Sequence, residues 1–528
     1  MAVYHLKTGG SKSSGASTAD DWTNANCYGS YANWMAALGA AADGDEGIVN
    51  DEIFVTALNF AGGINLTGTL TIKSKSGDAS ISGIRSSSAT GALCLANSTT
   101  HSANLIFQDL TLGKTVTHTD TARPVVLHAT QHTGNLTFSR CLFDDIDIAI
   151  ASGANWYYGI VTPAMGAGYG TTCTFEDCEW NNVSGTFSAN GAVLAMAQGT
   201  AYIMKLVRPI LRNIAAHNAI AGFNCAGGAS LMFWDVDLDG WTGTSDPGVG
   251  CGSFLKISSS TGSAKMYGRR VTMRNCTQSG GSPDPLINTA APYDVRDVMA
   301  VSVTSTATNK GIGLGAVFLA INSTAFGRLE NLRAYDCHAN YGPAAYWSNG
   351  ASGIARNIVA DSCSVGTGIV YKGGDGDLTA SQISVRRCWQ RDEASLDVDA
   401  LAFYGHIHSS TGARNSSINL RDVLVADNTY QGTSPAVLFN NPNATYTVNG
   451  TAKCVTVRDS AYGIRMDGAA VNLMATDCNL VGGASGIVES QTSGSLTASG
   501  TVDTAVNPSG SLSAAMTLAT RWPAGVRA

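Results

Sequence analysis

A short phrase recurs along this chain and constrains its fold more than any other feature. Two apolar residues alternate, two polar residues follow and a cysteine closes the unit, as in Val271-Thr272-Met273-Arg274-Asn275-Cys276. Copies read Leu136-x-Phe138-x-x-Cys141, Cys173-x-Phe175-x-x-Cys178, Leu332-x-Ala334-x-x-Cys337, Ile358-x-Ala360-x-x-Cys363, Ile383-x-Val385-x-x-Cys388 and Leu473-x-Ala475-x-x-Cys478. In Val423-x-Val425-x-x-Asn428 and Val455-x-Val457-x-x-Ser460 another small polar residue takes the last place. Alternation with period two marks a strand with one buried face. The copies are unevenly spaced, and weaker strand signals such as Leu70-x-Ile72, Leu105-x-Phe107 and Leu231-x-Phe233 lie between them. A propeller would repeat every ~40–45 residues with a blade signature. A β-solenoid tolerates uneven coils, because extra residues bulge at turns while the strands stay in register. The pattern therefore predicts an all-β solenoid.

The cysteine has a structural reading in that fold. After the two polar residues the chain bends, and the next side chain points back inside. Coils stack about 4.8 Å apart, so Cys141, Cys178, Cys276, Cys337, Cys363, Cys388 and Cys478 are expected to form an internal ladder. Parallel Cβ atoms at that spacing are too far apart for a good disulfide. Small thiols fill space there, and Asn or Ser can satisfy the bend amides instead. An odd total of 13 cysteines leaves at least one unpaired, and no CxxC pair suggests zinc.

The remaining organisation follows. Residues 1–50 read as a cap of strand, loop and short helix, with the helix over Trp34-Met35-Ala36-Ala37-Leu38-Gly39-Ala40-Ala41-Ala42. Residues 51–506 read as the solenoid and 507–528 as a C-terminal tail, where a helical period returns over 512–521. The opening Tyr4-His5-Leu6-Lys7-Thr8-Gly9-Gly10-Ser11, the helix after it, then Gly44-Asp45-Glu46 and Ile53-x-Val55, resemble the N-terminal entry of the pectate-lyase-like superfamily. That resemblance implies a single-stranded right-handed parallel β-helix with a short N-terminal helical cap. It covers about a tenth of the chain, and an insertion separates its last two pieces.

Charge and composition exclude several classes. A net charge of -7 gives no electrostatic case for nucleic acid. No apolar run of about 18 residues exists, so no membrane insertion is expected. The first residues lack a secretory apolar segment, which predicts folding in a cytoplasm. No cofactor motif is present.

Chemistry, if any, is expected on outward faces and in loops. Asp235, Asp237 and Asp239 alternate, which predicts three carboxylates on one outward strand face, weak candidates for cation binding or paired-carboxylate hydrolysis. Asp144-Asp145-Ile146-Asp147 and Asp397-Val398-Asp399 are lesser acidic groups. His406 and His408 share a face but lack an evident third metal ligand. His118, His128 and His132 have no metal spacing, and Gly373-Gly374-Asp375-Gly376-Asp377 reads as a turn. Trp156, Tyr157, Tyr158, Trp180 and Trp241 are candidate glycan contacts, since exposed rings stack on sugar faces; Trp234, Trp347 and Trp389 are further aromatics.

The resemblance implies one of two functions. Pectate-lyase-like proteins include bacteriophage tail spikes and other virion proteins, and also secreted polysaccharide lyases and hydrolases. No catalytic motif of the enzymes can be matched here residue by residue. The expected role is thus a virion protein, spike-like or decorating a tail or capsid. Its expected partners are other virion proteins, bacterial surface polysaccharide and two further copies in a homotrimer. A polysaccharide-degrading enzyme, extracellular or carried on a spike, is the alternative. The solenoid reading runs almost to the chain's end, without the anchoring and trimerisation domains such spikes usually carry.

Overall fold

A computed structural model describes residues 1–55, 68–95, 104–121, 124–129, 132–150, 159–165, 172–199, 201–246, 250–258, 264–307, 315–348, 350–391, 400–406, 415–430, 434–441, 445–458, 462–481, 485–502, 507–508 and 515–518. They form an all-β, solenoid-like fold of parallel strands with little helix. The chain divides into two compact units, Met1–Thr272 and Met273–Ala528.

The first unit opens on strand Val3–Leu6, which pairs parallel with Glu46–Val49. One helix, Tyr31–Gly39, begins at Ser30, whose side chain accepts from the Asn33 amide, and so starts earlier than the sequence pattern suggests. Its buried face carries Trp34 and Leu38, and Trp34 Nε1 donates to Tyr4 O at 2.9 Å. Gly47 lies directly beneath: a Cβ there would meet the Trp34 ring at 2.7 Å.

Beyond the cap, strands Thr69–Ser74, Asn104–Gln108, Leu136–Ser139, Thr172–Glu176, Ile203–Val207 and Ser230–Thr244 stack in register. Their alternation builds an inward column of Ile72, Phe107, Phe138, Phe175, Leu206 and Phe233. Phe138 stacks on Phe107 and Phe175 at 4.9 and 5.1 Å, nearly parallel, which stacked coils enforce on identical residues.

The two polar residues of the phrase hide the turning device. One of them adopts the left-handed conformation, with φ between 51° and 54° at Arg140, Asp177, Arg208 and Asp235. A second left-handed residue follows five positions later, at Asp145, Asn182, Asn213 and Gly240. Asn, Asp and Gly tolerate this region best. The second corner accordingly carries a side-chain ladder in which Asn182 donates to Asp145 and Asn213 donates to Asn182. The first corner alternates charge, with Asp109, Arg140, Asp177, Arg208, Asp235 and Arg270 in one column. Arg140, Arg208 and Arg270 each grip the preceding aspartate with two hydrogen bonds.

The second unit repeats the plan. Strands Phe326–Tyr335, Ser352–Asp361, Leu378–Arg386, Ser416–Ala426 and Val448–Arg458 stack in parallel register. Left-handed corners again fall five residues apart, at Asp297 and Ser302, Asn331 and Asp336, Asn357 and Ser362, Gln382 and Arg387, and Asp422 and Asp427. Trp347 is fully buried, its Nε1 donating to the Tyr293 hydroxyl at 2.6 Å. In the tail, Ala515–Leu518 is a strand pairing with Ser485–Val502, where the sequence period suggested helix.

The cysteines do not make one ladder. Cys141 and Cys178 are neighbours following the first corner of their coils. Cys337, Cys363 and Cys388 form a column following the second corner, and Cys276 likewise follows left-handed Asn275. Asn428 ends that column, accepting from the Cys388 amide at 2.8 Å and donating to Val385 O at 3.1 Å. Cys478 lies elsewhere, aligned with Val455 and Val423. Ser460 lies outside the described residues. All seven expected ladder cysteines are buried thiols outside any disulfide. Burial pushes the thiol of Cys178 well above its ordinary range and that of Cys478 to about 11, while hydrogen bonding with the Cys363 thiol, and burial after it, raises Cys337 and Cys388.

Candidate functional site

The acidic cluster is split by the corner. Left-handed Asp235 advances the alternation by one residue, so Phe233 and Val236 both point inward while Asp237 and Asp239 point outward. The three carboxylates therefore do not share one strand face. Asp235 is gripped by Arg270, with Nε 2.5 Å from Oδ1, and this guanidinium holds its carboxyl below the usual range. Asp237 pairs with Arg212 at 2.6 Å. Asp235, held ionised in this way, is poorly suited to donate a proton. Asp144 is shared between Arg85 and Asn181, and Asp147 accepts from Thr117 and Ser184.

Two expected glycan contacts are core residues. Trp180 is 1% exposed and Trp241 0%. Trp180 continues the alternation of Cys178 and stacks inside on Phe143 at 4.9 Å, while Trp241 follows left-handed Gly240, packing near Phe254. Neither ring is available to a ligand. Trp156, Tyr157, Tyr158, His408, Asp397 and Asp399 lie outside the described residues. His406 ends strand Phe403–His406, and only its backbone is described. His118 is buried against Lys114, whose Nζ lies 2.7 Å from its Nδ1 and 2.8 Å from Gly91 O. In the turn of residues 373–377, Lys372 caps the carbonyls of Gly373, Gly374 and Asp375. Among the described residues no group of three or more His, Cys, Asp or Glu is placed to hold a metal ion. No helix among them is long and apolar enough to cross a membrane.

The second unit brings together a constellation the phrase conceals. The residue after each ladder position points outward, and register stacks Thr304, His338, Ser364, Trp389 and Thr429 in one column. His338 is held at both nitrogens: Nδ1 lies 2.9 Å from Ser364 Oγ and Nε2 3.0 Å from Asp336 Oδ1. Asp336 stands at the corner, and its other oxygen accepts from Ser302 Oγ at 2.9 Å. In the neutral imidazole, an Nε2–H donating to the Asp336 carboxylate leaves Nδ1 to accept from Ser364 Oγ. Trp389, two coils along, leans over Ser364 towards His338, with ring centroids 5.5 Å apart and planes at 49°. Beside it Arg387 pairs with Asp361, holding that carboxyl below its usual range.

The connectivity is that of a Ser-His-Asp relay, but its exposure is reversed. Ser364 is 2% exposed, whereas Trp389 is 39% exposed and the Asp336 side chain 54%. The hydroxyl is covered, and what faces solvent is an indole flanked by a fixed imidazole, a carboxylate and a guanidinium. The relay orients His338 and does not present a nucleophile. Sequence reading placed Trp389 among the aromatics but missed His338 and Ser364. Their signal was position, one residue after Cys337 and Cys363. The chain matches no protein-family model, and neither a curated protein nor a solved structure resembles it closely enough to carry an inference.

Proposed function

We propose that the chain is a pectate-lyase-like parallel β-helix serving as a structural component of a bacteriophage virion, spike-like or decorating a tail or capsid, that presents a glycan-binding surface to the host cell. The observation that carries the proposal is the core of free thiols, with Cys337, Cys363 and Cys388 in consecutive coils. Such a core suits a protein completed in a reducing cytoplasm, as phage structural proteins are, better than one folded during secretion. The ion pairs at Asp235 and Asp237 support binding over polysaccharide cleavage. Mass spectrometry of purified particles tests the proposal. A fixed copy number per particle is expected, and absence from washed particles would overturn it.

A further inference from the structure

We infer that Trp389, His338 and Asp336 form a subsite for one neutral pyranose unit of a glycan. This rests on the glycan half of the proposed function and gives it a location and a ligand class.

The geometry is built rather than incidental. In a parallel stack, residues two rungs apart have backbones separated by about 9–10 Å. Ser364 between Trp389 and His338 is small, so both rings lean over it to 5.5 Å, and this is why Ser364 is buried on an outward face. The imidazole cannot rotate away, because both nitrogens are engaged. One broad apolar surface therefore stands in solvent with polar groups at fixed positions along its edge. Sugars ask for this combination: the C–H face of a pyranose packs on an indole, and its hydroxyls need rigid donors and acceptors at the rim. Asp336 accepts at one oxygen from Ser302 and at the other from His338, and each oxygen keeps a further lone pair for an adjacent hydroxyl.

Charge narrows the ligand. Arg387 is paired with Asp361, and the Asp336 carboxylate, hydrogen-bonded to His338, stands exposed beside the stacked rings. A uronate or sialate carboxylate would meet like charge there, so the subsite favours an uncharged unit.

The test is saturation-transfer NMR on the full chain. Its probes are the methyl pyranosides of glucose, galactose, mannose and N-acetylglucosamine, with polygalacturonate as the acidic comparison. At least one neutral probe is expected to receive saturation at its ring C–H protons, with polygalacturonate weaker. Trp389→Ala is expected to weaken that probe roughly tenfold or more, while Trp389→Tyr recovers part of the loss. Asp336→Asn should weaken the neutral probe and narrow its advantage over polygalacturonate. Equal binding by wild type and Trp389→Ala, with unchanged unfolding midpoints, would sink the subsite and leave glycan binding standing. Wild type binding none of the probes would sink both.

Discussion

Replacing Trp180 separates a core ring from a sugar platform. The side chain is 1% exposed, stacked on Phe143 and edge-on to Phe175 and Phe223 at 5.3 and 5.4 Å. Truncation to alanine removes roughly 200 Å² of apolar burial, worth about 5 kcal/mol at ~25 cal/mol per Å². The indole Nε1 is buried without a hydrogen-bond partner among the described residues, so its removal returns about 1 kcal/mol or more. The expected net loss for Trp180→Ala is thus about 3–5 kcal/mol, in line with large-to-small core changes. Trp180→Phe keeps most of the stack and removes the unpaired N–H, so it should fall within about 1–2 kcal/mol of wild type. The assay is amide hydrogen exchange read by mass spectrometry across strands Leu136–Ser139, Thr172–Glu176 and Ile203–Val207, because solenoid coils open locally. Wild-type protection in Trp180→Ala would refute the placement of this ring in the core.

Three further outcomes follow from the corners, the ladder and one buried lysine. Asn182 has φ 51° on an exposed corner; Asn182→Val should cost about 1–2 kcal/mol in urea unfolding, whereas Asn182→Gly should stay within about 1 kcal/mol of wild type. In the thiol column, Cys363→Ser should be mild and Cys363→Arg severe, read as soluble yield and unfolding midpoint. Burial lowers the Lys114 ammonium from 10.5 to about 8 in the fold. Between those values the unfolded chain holds a proton that the native one lacks, so this lysine's destabilising effect is full below about pH 8 and fades as pH rises towards 10.5. Unfolding midpoints of wild type should therefore gain on Lys114→Met from pH 8 to 10, and a constant difference would contradict the assignment.

The strand pattern was legible because alternation states directly which face is buried, and the copies of the phrase fall on stacked strands. The corners were not. A left-handed residue consumes one position without changing the inward direction, so alternation on either side of it is out of phase. Asp235 was thereby grouped with Asp237 and Asp239, although it stands at the bend before them. The same shift puts Trp241 inside after Gly240. Trp180 was recoverable, since it follows Cys178 by two with no corner between. The second-unit site escaped notice for another reason. Asp336 and His338 are near neighbours, but Ser364 and Trp389 reach them only through coil stacking, which fixes partners across register rather than along the chain.

Register stacking of consecutive coils underlies both the core and the outward site, and sulfur anomalous scattering from crystals tests it directly. Separate sulfur peaks are expected for Cys337, Cys363 and Cys388 in a line at steps of about 4.8 Å, with no fourth peak at Asn428, and a neighbouring pair for Cys141 and Cys178. Sulfurs scattered without that spacing, or joined at the ~2.05 Å of a disulfide, would contradict it.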